Sequence, residues 1–251
     1  MRIPMIYRVG SSIELYLCVH RLNRCSKDTL EENMIKSFTV ALLLAMVFHN
    51  PLARAKDLTP LQVATRLQAM YEKTKDFKAA FRQEYKSKAL DRTKVSSGYI
   101  YVKKPGLMRW DYMKPRPKNF VADGKALFIY DPQLEQVMVD RSFSGSSMST
   151  AVSFLWGKGK LVDDFIISFS KGGTKGDFYT LELLPKTKAR FTKLIFVVDK
   201  KTFRVKETLV VDPGGNTNRI TFSKMKTNVG LKDEAFHFQI PNGVDVIEAP
   251  N

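Results

Sequence analysis

Cysteine is scarce in this 251-residue chain, and both copies, Cys18 and Cys25, lie near its start. Nothing beyond them can close a disulfide, act as a thiolate nucleophile or give a thiolate to a metal. Histidine is as thin: of three, His237 alone lies after position 49. It sits in AFHFQIP, between Phe236 and Phe238. A lone imidazole without convergent partners reads as a structural or surface residue of a terminal strand. No paired-ligand spacing such as HxxxH occurs, so a transition-metal site would have to be carboxylate-dominated. G-x-S-x-G, P-loop and G-x-G-x-x-G patterns are missing too. The adjacent acids Asp163-Asp164 do not face one another as a glycosidase pair must. The serines of GSSMS have no base at hand and read as a hinge. The enzyme classes are left without a motif, and no metal or cofactor is expected.

Long apolar runs are lacking as well. Phe38–Phe48 is eleven residues, well short of the ~20 that cross a bilayer. It follows Lys36 and precedes Ala53-Arg54-Ala55, a small-x-small cleavage site. Residues 34–55 therefore read as a secretory signal peptide cut after Ala55, and residues 1–33 as an upstream extension from a mis-assigned start. Residues 56–251 number 196, which suits a single domain. No cysteine follows the cleavage point, so release as a soluble exported protein is expected rather than lipid anchoring.

Acidic residues are in the minority, 25 against 41 Lys and Arg, for a net charge of +16. After residue 55 the balance is 34 basic to 21 acidic, net +13. Such an excess favours an anionic partner. For an exported protein that means lipid head groups or an acidic protein surface, not nucleic acid. Most of the lysines read as solvated strand faces.

What is abundant is apolar periodicity. In LTPLQVATRLQAMYEKTKDF, Leu61, Ala64, Leu67, Met70 and Tyr71 fall at helical spacing, behind a Thr59 cap and a proline at the first helical position. After Phe77 the period becomes two: Phe77, Ala79, Phe81, Gln83 and Tyr85 share one strand face. About eleven short strands follow, separated by Pro105-Gly106, Pro115–Pro117, Asp123-Gly124, Asp131-Pro132, Gly172-Gly173 and Asp212–Gly215. One strongly curved or partly closed antiparallel sheet is implied. The series is interrupted by a Ser/Gly-rich lead and an apolar stretch, Ala151 to Trp156, which reads as a short helix ended by Gly157.

Met108, Trp110 and Tyr112 share one face of LMRWDY, with Leu107, Arg109 and Asp111 on the other. In ALFIYD both faces are apolar, Leu127 and Ile129 against Phe128 and Tyr130. Such a strand needs cover on both faces, or a ligand on one. The alternation alone does not say which face points inward.

The stretch GYIYVKKPGLMRWDYMKPRPKNFVADGKALFIYDPQLEQV, with STAVSFLWG and IPNGVDV further on, resembles the LolA family of periplasmic outer-membrane lipoprotein carriers. The resemblance implies an incomplete antiparallel β-barrel of eleven strands with an α-helical lid. It also implies a cavity for lipoprotein acyl chains, an inner-membrane ABC transporter as donor, an outer-membrane LolB-type acceptor, and a monomer working in the periplasm. LolB shares the fold but is anchored through a cysteine, which is missing here. By the same resemblance Met108 matches a cargo-receiving position, and Trp110 and Phe120 match cavity-lining ones. Phe81 and Leu67 are expected to join the lipid-binding lining, with Phe154, Leu155 and Trp156 from the lid. Lys104 stands where the family has an arginine that latches the lid, and lysine lacks arginine's planar fork of donors.

The physics suits that role. Three acyl chains of about 45 methylenes at ~0.8 kcal/mol each would cost up to roughly 36 kcal/mol to expose to water. Methionine and aromatic walls adapt to fluid chains without directional demands. Two other readings use the same fold. One is a shuttle for lipid or glycolipid. The other is a lipoprotein-sensing regulatory module, expected to carry a second domain, whereas this chain ends soon after its last expected strand.

Overall fold

A computed structural model describes residues 57–143 and 159–249. The expected signal segment and the lid residues Phe154, Leu155 and Trp156 lie outside the described residues. All elements below belong to the compact unit that begins at Leu58.

Helix α1, Pro60–Lys73, starts where its local chemistry dictates. The Thr59 hydroxyl accepts from the Gln62 backbone N–H, and the Gln62 side chain accepts from the Thr59 N–H. This reciprocal cap satisfies two donors that the helix start leaves open. The buried stripe is Val63, Ala64, Leu67 and Tyr71. Leu61, expected on it, is 53% exposed. At ~100° per residue it points about 120° away from Leu67, the centre of the stripe.

Among the described residues, twelve strands form one sheet. They are β1 (Asp76–Ser87), β2 (Arg92–Lys103), β3 (Leu107–Lys114), β4 (Lys118–Asp123), β5 (Leu127–Asp131), β6 (Gln136–Asp140), β7 (Phe165–Lys175), β8 (Phe178–Pro185), β9 (Lys193–Asp199), β10 (Val205–Val211), β11 (Thr217–Thr227) and β12 (Asp245–Glu248). Their order is β12-β6-β5-β4-β3-β2-β1-β11-β10-β9-β8-β7, so the sheet does not close. Every pairing is antiparallel except β12 on β6. That added parallel strand is the one beyond the expected eleven. A second helix, α2 (Leu161–Asp164), is tied to α1 through Gln68, whose side-chain oxygen accepts from the Leu161 N–H. Asp163 and Asp164 lie in this short helix, and Asp164 accepts from the Lys160 N–H at its entry.

Two expectations about turns are corrected. Gly172-Gly173 does not end a strand: it lies within β7, where a register shift between Phe169 and Thr174 absorbs the extra residues. The chain reverses instead near Gly176, which takes a left-handed φ of 55°. AFHFQIP is not a strand either. Asp233–Phe236 is a 3-10 turn, and His237 is exposed at its end.

The main core lies between α1 and the inner face of the sheet, from Phe77 and Ile100 to Leu181, Leu194, Phe196 and Phe222. A smaller cluster on the opposite face joins Ala126, Val137 and Val139 to Phe128, Tyr130 and Phe238. This fixes the orientation of β5. Leu127 packs into the main core, and the C-terminal segment covers the Phe128–Tyr130 face.

Candidate functional site: an apolar track across the inner face

Residues paired across neighbouring strands point to the same face. Following the register, Ala79 pairs with Ile100, Ile100 with Trp110, and Trp110 with Phe120. Phe120 then pairs with Ile129, Ile129 with Met138, and Met138 with Ile247. One unbroken apolar row therefore crosses seven strands, roughly 29 Å at the usual strand spacing. Its exposure rises along the way. Trp110 is 6% exposed, Phe120 and Ile129 are half-buried, and Met138 and Ile247 are 37% and 41% exposed. The row begins as core and ends as a partly exposed apolar surface.

Beside it, Phe81, Trp110, Tyr112 and Phe120 form an aromatic cluster. Phe81 meets Trp110 edge-on at 4.8 Å and Tyr112 at 4.9 Å, and Tyr112 lies 5.5 Å from Phe120. The Trp110 indole N–H donates to the Met108 sulfur at 3.1 Å. Gly98 lies between Phe81 and Tyr112 in the register, and its missing side chain lets those rings meet. A Cβ there would stand 1.9 Å from the Asp111 carbonyl oxygen.

Of the residues expected to receive cargo, Leu67, Phe81, Met108 and Trp110 are all buried in one cluster, and Phe120 packs at its margin. A cleft of about 760 Å³ opens at the margin, bounded by Gln83, Tyr85, Tyr112, Phe120, Arg116 and Lys118 among others. The Tyr112 hydroxyl donates to Gln83, which donates in turn to Asn218, at 2.8 and 2.9 Å. Burial pushes the Tyr112 phenol up to about 12. Sequence reasoning missed Met138 and Ile247, and left open which way the Ile129 face points. Their place in the track depends on strand pairing, above all on β12.

Lys104 reaches from the β2–β3 turn to the end of α1. Its ammonium donates to the Tyr71 carbonyl, and its backbone N–H to the Lys75 carbonyl at 2.8 Å. Burial lowers the Lys104 pKa, and nearby Glu72 opposes that shift. Tyr71 is itself buried, and its phenol oxygen accepts from the Val205 N–H. The last turn of α1 is thus pinned by one lysine at the turn and one tyrosine in the core. Among the described residues no group of three or more His, Cys, Asp or Glu could hold a metal, and no helix is long and apolar enough to cross a membrane.

An open sheet with a helix on its inner face, and an apolar track emerging from that core, defines a cradle for an apolar ligand. The sequence profile described as outer membrane lipoprotein carrier protein LolA matches residues 72–239, and the chain belongs to that family. It is 34% identical over 195 residues to an outer-membrane lipoprotein carrier protein of Cupriavidus pinatubonensis, covering 76% of this chain and 90% of that one. To the protein of the same description from Pseudomonas paraeruginosa it is 29% identical over 218 residues, covering 86% and 99%. Among solved structures it is similar to a LolA superfamily protein from Nitrosomonas europaea, with a TM-score of 0.40 at 13% identity, covering 72% of this chain and 99% of that one.

Proposed function

We propose that the protein is a periplasmic carrier that holds the acyl chains of lipoproteins on the inner face of its sheet and passes them to the outer membrane. The observation that carries this reading is the Ala79-to-Ile247 row, which offers an acyl chain a continuous apolar path from solvent into the core. Family membership and the names of the relatives support the cargo class. Binding here is an exchange of contacts and involves no bond chemistry. The rings of Phe81, Trp110, Tyr112 and Phe120 cover one another when the cradle is empty and would cover methylenes when it is loaded. Each ring withdrawn from water or given back to it changes the free energy by about 2 kcal/mol, so loading and release both stay within reach.

Lys104 acts in this scheme as the latch. Its single bond to the Tyr71 carbonyl holds the end of α1 against the sheet, where the family's arginine would bring more donors. Residues 34–55 direct export and are removed after Ala55. An inner-membrane ABC transporter loads the carrier, and an outer-membrane LolB-type acceptor unloads it. Lipid mass spectrometry of the protein purified from periplasm tests the reading. Co-purified triacylated lipoprotein is expected. Free phospholipid alone would point to a lipid shuttle, and an empty protein that takes up no acylated peptide would defeat the carrier reading.

A further inference from the structure

The outer face of the sheet carries a second candidate site, remote in role from the acyl track. Lys78 of β1 and Lys226 of β11 stand directly opposite one another in the register. Like charges so placed repel and weaken a sheet. Next to them β11 carries an irregularity between the partners of Lys78 and Ala80, and Lys224 takes a left-handed φ of 52° there. Bulges re-aim side chains, and this one adds a third lysine to the cleft that Lys78 and Lys226 line. Tyr99 and Tyr101 of β2 complete a cleft of about 240 Å³. Tyr99 is 49% exposed.

The acids that could neutralise these lysines are engaged elsewhere. On the same face Glu84 pairs with Arg82, Asp111 with Arg109, and Glu207 with Arg219. Asp76 accepts from the Val229 and Gly230 backbone N–H groups. Among the described residues Lys78, Lys224 and Lys226 form no ion pair. An uncompensated positive cluster flanked by tyrosines is the composition of a water–membrane boundary, where lysines meet phosphate and phenols sit at head-group depth.

We propose that this face, centred on Lys78, Lys224, Lys226, Tyr99 and Tyr101, docks the protein on the head groups of an anionic bilayer. The charge complementarity is direct: an anionic surface relieves the repulsion between two lysines that the register forces together. Docking by this face leaves the inner face free, and it does not depend on what the cradle carries.

Sedimentation with vesicles tests it. The purified protein should bind vesicles containing phosphatidylglycerol, bind vesicles of phosphatidylcholine alone much less, and dissociate as salt is raised. Each lysine near such a surface contributes about one factor of five to tenfold. K78Q/K226Q should therefore lower the partition coefficient by roughly 30-fold. Its thermal midpoint should stay level or rise, because the facing like charges are gone, so lost binding cannot be put down to unfolding. A charge-matched control on exposed β7, K171Q/K175Q, should keep most of the binding. No binding to phosphatidylglycerol vesicles would overturn the proposal. So would equal losses in the two double variants, which would reduce it to net charge. Capture by a soluble acidic protein with no vesicle binding would overturn it too. Acylated-peptide retention measured in parallel keeps the carrier reading separate, since K78Q/K226Q should leave it unchanged.

Discussion

The two wings of the sheet bury their inner faces with different chemistry. On β8 and β9 the inward residues are Tyr179, Leu181, Leu183, Leu194, Phe196 and Val198, all buried and most of them branched aliphatics. On β3 to β6 they are Met108, Trp110, Tyr112, Phe120, Ile129 and Met138, and their cover thins strand by strand. Branched aliphatics in close packing hold one arrangement. Methionine and edge-on aromatics can exchange neighbours at small cost. The comparison teaches that one wing is built to keep its partners and the other to change them. If so, equal-sized deletions should read out differently: as stability in the first wing and as cargo retention in the second.

The sharpest break in that comparison is expected at their shared seam. Gly98→Ala drives a methyl into the Asp111 carbonyl beneath the Phe81–Tyr112 contact. Backbone cannot swing aside as a side chain can, so a loss of about 3 kcal/mol or more is expected, visible as a lower urea midpoint. Leu183→Ala, deep in the aliphatic wing, should cost about 2–5 kcal/mol. The fraction that stays folded should retain an acylated peptide normally. Phe120→Ala should reverse the pattern. It is half-buried at the margin of the core, so stability should fall by about 1–2 kcal/mol at most, while retention of a fluorescent acyl probe should weaken about tenfold. Equal retention losses in Leu183→Ala and Phe120→Ala would erase the distinction between the wings.

The local parts of this design were legible in the sequence. Thr59-Pro60 marks the start of α1 because a helix cap is made by near neighbours, and the structure adds Gln62 to it. Alternation through Phe77, Ala79 and Phe81, and through Met108 and Trp110, reports the inner face because a strand's period is two. What failed or stayed hidden depends on pairing between distant segments. Gly172-Gly173 carries a turn-forming composition, but the partner strand β8 pulls it into a bulged ladder. DVIE near the C-terminus is too short to announce a strand, and only the β6 edge makes it one. With β12 unseen, the outer end of the track at Ile247 is unseen as well. Nor does anything local mark Lys224 as left-handed or place Lys78 opposite Lys226, so the outer-face cluster shows in sequence only as excess charge.

A smaller effect separates holding from opening. Lys104→Ala removes the bond to the Tyr71 carbonyl, and Lys104→Arg keeps the charge and adds donors. One such bond is worth about 0.5–1.5 kcal/mol. Probe release from Lys104→Ala should therefore be faster by about three- to tenfold, and from Lys104→Arg slower by a similar factor. Equilibrium stability should change little in Lys104→Arg. Identical release from all three proteins would mean that α1 is held by its buried stripe alone.

The weakest expected effect is in alkali, and it reports which wing loosens first. Burial raises the Tyr112 phenol from 10.0 to about 12, and burial also raises Tyr71. In both cases the folded state keeps a proton that the unfolded chain gives up, so the unfolded state binds fewer protons above pH 10.0. Stability is then fully present below that point and declines as pH rises toward about 12 for Tyr112. Tyr71 is pinned in the core under α1, whereas Tyr112 lies at the open cleft. If the aromatic wing opens on its own, tyrosinate absorbance should show Tyr112 ionising before the far-ultraviolet signal of the sheet is lost, and Tyr112→Phe should remove that early step. Ionisation of both tyrosines in a single step with global unfolding would mean that the two wings yield together, and the division of labour between them would then lie in ligand contact alone.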